Sequence, residues 1–206
     1  MKDMTSTASI IDSLVADAQP VRRLRPPALR TLGWLALAVL MLALVAASHG
    51  VRPDLALKLR EPTFATSVAA ALLTGVLAAL AALVASVPGR SRRWLLLPAP
   101  ALIVWLSTIG YGCLTNWIVM GPQGMSLGET ASCFATLLQT SIPLSLAMFF
   151  MLRHVARLAP APVVLMGSLA VAAMTAVALA LFHPLDATVL ILLSNFGVTA
   201  LLLCCG

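Results

Sequence analysis

Six stretches of the chain, 32–50, 66–87, 94–118, 130–151, 162–182 and 187–205, contain no Lys, Arg, Asp or Glu. Each is close to the roughly 20 apolar residues that cross a bilayer as a helix. Only helices and closed barrels satisfy every backbone N–H and C=O in lipid. Runs this long and continuous exceed barrel strands, so the expected fold is all-α, a polytopic six-transmembrane-helix bundle. The connections are short and carry breakers: "RPD", "VPGRSRR", "MGPQG", "LAPAP" and "HPLD". Composition supports this reading, because only 10% of residues are charged, against roughly a quarter in soluble domains.

The formal net charge of +6 invites a nucleic-acid reading, but the distribution of charge excludes it. The basic residues sit in loops and at the N-terminus, and no basic stripe is interleaved with aromatics. With a cytoplasmic N-terminus, the inside segments hold Lys2, Arg22, Arg23, Arg25, Arg30, Arg90, Arg92, Arg93, Arg153 and Arg157. The outside loops then hold only Arg52, Lys58 and Arg60. This asymmetry predicts a multi-pass inner-membrane protein with both termini cytoplasmic. The first 31 residues are polar and proline-containing, and no small-residue cleavage site closes the apolar run that follows. That run is expected to stay as a span rather than be removed as a signal peptide.

The spans themselves argue against several functions. Ion pumps and proton-coupled carriers place ionisable groups near mid-membrane, and none is present here. A carrier or channel for a small neutral solute remains as an alternative. A membrane thiol oxidoreductase is a second, weakened by the absence of a CxxC pair. The expectation is therefore a protein without catalytic activity. "SVAAALLTGVLAALAALVASV" is rich in small residues, which lets helices approach closely.

Ahead of the spans, residues 1–31 read as a separate water-compatible segment, and 32–206 as the membrane domain. Ile10, Ile11, Leu14, Val15 and Ala18 fall on one helical face, with Asp12, Ser13 and Asp17 on the other. The expected element is a short cytoplasmic amphipathic helix. Ser9 followed by Asp12 resembles a capping box, Pro20 limits the helix, and "RPP" is expected to hold an extended linker. Helices that lie on lipid usually carry Lys and Arg on the polar face, whereas this polar face is acidic. Docking of the apolar face into a groove on a soluble partner is the favoured reading, ahead of packing on the chain's own helices.

Chain order gathers reactive side chains towards the outer side. Cys113 lies in "GYGCLTNW", Cys133 in "ASCFATLLQ" and His49 at the end of the first span. Glu129 starts the fourth span, and His183 and Asp186 lie in "LFHPLDA". Cys, His and carboxylate are ligands for a soft or borderline metal ion, and two cysteines can form a disulfide in an oxidising compartment. A free cysteine is also commonly a small buried hydrophobe. Cys204 and Cys205, at the opposite end, read as packing residues. Thr136, Thr140 and Gln139 are expected to hydrogen-bond between helices, and Pro143 allows a kink.

Taken together and in order, "LVADAQPVRRLRPPALRTLGWLAL", "SVPGRSRRWLLLPAPALIVWL", "GYGCLTNW", "ASCFATLLQTSIPL" and "LFHPLDATVLILL" resemble the NrsF-type family of six-span bacterial membrane anti-sigma factors. The resemblance covers essentially the whole chain. It implies that residues 1–31 hold an extracytoplasmic-function sigma factor related to sigma-F at the membrane. It further implies that oxidants or heavy metals outside act on Cys133 first, and on Cys113 second, to release it. The chain departs from the family where Ser194 and Asn195 replace a common Trp-His pair, in the absence of a longer basic tail, and where His183 stands near the last outer turn. A Cys–His metal site drawn from Cys113, Cys133, His183 and His49, or a Cys113–Cys133 bridge, is the corresponding alternative sensor. No cofactor other than such a metal ion is expected, and the remaining partner is membrane lipid.

Overall fold

The computed structural model describes residues 7–17, 26–87, 89–116, 127–152 and 160–182. They form helices joined by short turns, with no strand among the described residues. A short helix α1 (Thr7–Ala16) precedes α2 (Pro27–His49), the single-turn α3 (Leu55–Lys58) and α4 (Pro62–Ala85). A 3₁₀ turn, Arg92–Leu96, leads into α5 (Ala99–Asn116), followed by α6 (Leu127–Leu152) and α7 (Pro160–Phe182). Five helical segments are long and apolar enough to cross a membrane: Pro27–Ser48, Pro62–Ala85, Arg92–Tyr111, Ala135–Leu152 and Ala161–Phe182. The expected sixth span, 187–205, lies outside the described residues.

Helix starts differ from the sequence expectation for local reasons. Pro26 is extended, with φ −51° and ψ 141°, but Pro27 already occupies the first turn of α2. Its missing N–H costs nothing there and its fixed φ suits a helix, so "RPP" opens the span instead of serving only as a linker. Pro62 begins α4 in the same way after Glu61. The expected continuous third span is divided. Ser91 Oγ accepts from the Arg93 N–H at 3.3 Å to start the 3₁₀ turn, and the α-helix begins only after Pro98. The capping box at Ser9 is not formed at a helix start, because α1 begins at Thr7 and runs through Ser9.

The ends of the bundle are fixed by hydrogen bonds between distant segments. At one end, Arg30 Nη2–H donates to the Met151 carbonyl, and one turn further along α2 the Trp34 indole N–H donates to the Leu144 carbonyl at 3.2 Å. At the other end, the Arg52 backbone N–H donates to the Leu181 carbonyl at 3.3 Å. Thus α2 and α6 are antiparallel, and α2 finishes beside the end of α7.

The centre of the bundle is α7. Every residue from Leu169 to Leu179 is buried, as expected of a helix that is apolar all round. Its closest neighbour is α4. A Cβ on Gly75 would lie 2.9 Å from Met174 Cε and 3.3 Å from Ala173 Cβ, so the two helices approach closely there and any side chain would have to shift the Met174 methyl. Ala71, Ala78, Ala79 and Ala82 continue that small-residue seam. Gly167 plays the corresponding part where α7 meets α6, beside Met148 and Leu152. On the outward face of α6, Leu138, Ile142, Leu146 and Phe149 are exposed at helical spacing, as lipid-facing side chains must be.

Buried hydroxyls return to their own helices. Thr74, Thr140 and Thr175 donate to the carbonyls of Ala70, Thr136 and Val171 at 2.7, 2.9 and 2.9 Å. Such bonds satisfy the hydroxyl without bridging helices. The expectation that Thr140 joins neighbouring spans is corrected accordingly.

Candidate functional site: the N-terminal helix and the far end of the bundle

Helix α1 carries its apolar side chains in the open. Ile10, Ile11, Leu14 and Val15 are between 46% and 69% exposed. Ser13 Oγ donates to the Ile10 carbonyl at 2.9 Å, and the Asp17 N–H to the Ser13 carbonyl at 3.0 Å. Ala18, the fifth residue assigned to this face, lies outside the described residues. A ten-residue helix is shorter than the roughly 12–15 residues at which isolated helices become stable in water. Four exposed apolar side chains add to that deficit, since fully burying each would contribute about 1.5–3 kcal/mol. Both considerations favour a helix that gains order by covering this face.

At the opposite end, the loop between α2 and α4 is folded around Arg52. Its guanidinium meets the Asp54 carboxylate with two bonds of 2.7 and 2.6 Å and lies 5.8 Å from the centre of the Phe64 ring. Only 8% of the Arg52 side chain is exposed, against 43% for Asp54. The Arg52 hydrogen bond holds the Asp54 carboxyl below the usual carboxylate range, and that same bond raises Arg52. Asp54 precedes α3 without capping it, because its oxygens face Arg52. A surface pair, Lys58–Glu61 at 2.9 Å, closes the loop. In the sequence Arg52 counts only as a topological charge; the Arg-x-Asp spacing of Arg52 and Asp54 is the one local signal of the pair, and Phe64, ten residues beyond Asp54, gives none.

The sensor candidates belong to helix ends on this same side. Cys113 lies three residues before the end of α5 and Cys133 six residues after the start of α6, while His49 is the last residue of α2. Their side chains, and the whole of His183, are outside the described residues. Among the described residues no group of three or more His, Cys, Asp or Glu side chains gathers as a metal site.

A bundle of helices apolar and long enough to span, preceded by a short helix with exposed apolar side chains, defines an all-α polytopic membrane protein. The chain belongs to the NrsF family, described as negative regulator of sigma F, whose sequence profile matches residues 14–206. That match takes in Leu14, Val15 and the arginine-rich linker as well as all five described spans. No curated protein and no solved structure matches the chain.

Proposed function

We propose that the protein is a non-catalytic anti-sigma factor of the bacterial inner membrane, with both termini cytoplasmic. In this reading residues 1–31 hold an extracytoplasmic-function sigma factor away from RNA polymerase. Oxidative or heavy-metal stress at the periplasmic face releases it, with Cys133 as the first sensing thiol and Cys113 as the second. The observation that carries the reading is the uncovered Ile10, Ile11, Leu14 and Val15 face on a chain whose family is described as negative regulator of sigma F. Helix-in-groove docking uses such a face. A metal ion held by Cys113, Cys133, His183 and His49 is the alternative form of the sensor, supported by the position of three of them at helix ends on one side. Against the transport reading stand the buried hydroxyls of Thr74, Thr140 and Thr175, each bonded to its own helix rather than lining a polar path.

Deletion of residues 1–20 tests the reading. The truncated chain is expected to insert in the membrane at the parent level and to lose co-purification with the sigma factor. Unchanged co-purification sinks the docking role.

A further inference from the structure

The segment that carries α1 enters the bundle through the first two turns of α2. Those two turns are fastened to α6 by the Arg30–Met151 and Trp34–Leu144 hydrogen bonds. Arg30 and Trp34 are about one turn apart on α2, and their acceptors about two turns apart on α6. The long arginine reaches down its own helix to make up the difference. Trp34 is fully buried and packs in the core, and its acceptor Leu144 directly follows Pro143 within α6. Proline has no N–H to close the preceding helical turn, so this is where α6 bends at least cost.

The Arg30 joint is incompletely satisfied. Nη2 is used on the Met151 carbonyl, while Nη1 is enclosed by protein and has no hydrogen-bond partner. It is the one such buried side-chain nitrogen or oxygen among the described residues. An enclosed donor on a charged group costs free energy until it is hydrated or paired. The closed arrangement is held by two hydrogen bonds and the packing of Trp34. The open one returns the guanidinium to water at the membrane edge, where arginine readily snorkels. Two discrete arrangements of one contact are what a transmitting element requires.

We propose that these two bonds form a latch between α2 and α6, and that its opening carries a change at the Cys133 end of α6 to the N-terminal segment. This rests on the anti-sigma reading above. Helix α6 runs unbroken from Leu127 to Leu152, and both acceptor carbonyls lie beyond Pro143, so a shift of its far end that changes the bend at Pro143 moves both of them relative to α2. Closed, the latch fixes the start of α2 and holds α1 where it sequesters the partner. Open, the first turns of α2 loosen and the partner is released.

The test uses the full-length chain in lipid nanodiscs and in cells, as parent, W34F, R30K and R30M. W34F keeps an aromatic side chain in the core but removes the indole N–H together with the second ring, so unchanged protection at 171–179 is what separates loss of the donor from general loss of packing. The latch predicts hydrogen exchange at residues 28–34 that is at least about tenfold faster in W34F and R30M, with protection at 171–179 unchanged. In cells it predicts a several-fold rise in uninduced transcription from promoters of the sigma factor recovered with the parent, at an unchanged membrane level. Because the latch lies downstream of the sensor, W34F combined with Cys133→Ser is expected to match W34F alone. If R30M fails to accumulate, W34F and R30K carry the test. Parent-like exchange, or faster exchange without increased transcription in cells where deletion of residues 1–20 does increase it, overturns the latch. No increase on that deletion overturns the sequestering reading instead.

Discussion

Two arginines, one at each end of the bundle, are treated very differently. Arg52 has a bidentate carboxylate, an aromatic face and a backbone bond to α7, and is almost wholly covered. Arg30 has one carbonyl and one enclosed, unpaired nitrogen. A paired guanidinium with satisfied donors favours a single geometry, whereas a half-satisfied one lowers the cost of leaving it. The Arg52 end is therefore built as a fixed cap, and the Arg30 end as a joint. The joint is the end that leads to α1.

The largest effect on this contrast should come from removing the output while leaving both arginines in place. Leu14→Asp combined with Val15→Asp puts charge on the exposed face of α1 and alters no residue of the buried core. Losing two apolar anchors worth about 1.5–3 kcal/mol each corresponds to a fall in affinity of about a hundredfold or more. Co-purification with the sigma factor should be abolished at a normal membrane level. Retention would show that α1 docks elsewhere.

Gly75→Leu attacks the seam connecting the two ends. The added side chain must displace Met174 and Ala173, which already stand 2.9 and 3.3 Å from where a Cβ would be. Overpacking of this kind costs about 1–3 kcal/mol. Thermal unfolding in detergent should occur at lower temperature, and protection should fall at both ends of the bundle together. A loss confined to one end would mean that the α4–α7 pair does not join them. Cys133→Ser, one atom's change, should leave folding and sigma binding intact while blunting induction by oxidants or thiophilic metals. A parent-like induction curve would return Cys133 to the packing residues.

Much of this architecture can be read in the sequence, because lipid leaves a chain few options. Uninterrupted apolar runs placed four of the spans to within about five residues, and the period of Ile10, Ile11, Leu14 and Val15 located α1. What was not legible depends on where a side chain ends rather than where its backbone starts. Arg30 and Arg52 both enter a count of topological charges identically, yet one reaches α6 and the other folds back on Asp54. Likewise, a threonine in a span can bond across helices or to its own carbonyl, and the sequence contains no term that separates the two. The division of the third span was obscured because Pro98 and Pro100 fall within a hydropathic run, where an apolar count registers no interruption.

The smallest expected effect is the response of the two ends to mild acid. Asp54 is held below the usual carboxylate range by its bond to Arg52. A carboxylate with a lowered folded-state pKa contributes stability that is complete above its unfolded pKa, near 3.9. That contribution is lost only as pH falls through the lower folded value. Between pH 7 and pH 5 the pair therefore stays ionised, and protection at residues 50–61, corrected for the intrinsic pH dependence of amide exchange, should not change, as measured in nanodiscs. Arg52→Met should loosen the loop equally at both pH values, without altering exchange at residues 28–34. Loosening of the start of α2 in this variant would mean that the cap and the joint are mechanically one, and the contrast between the two arginines would no longer distinguish a fixed end from a moving one.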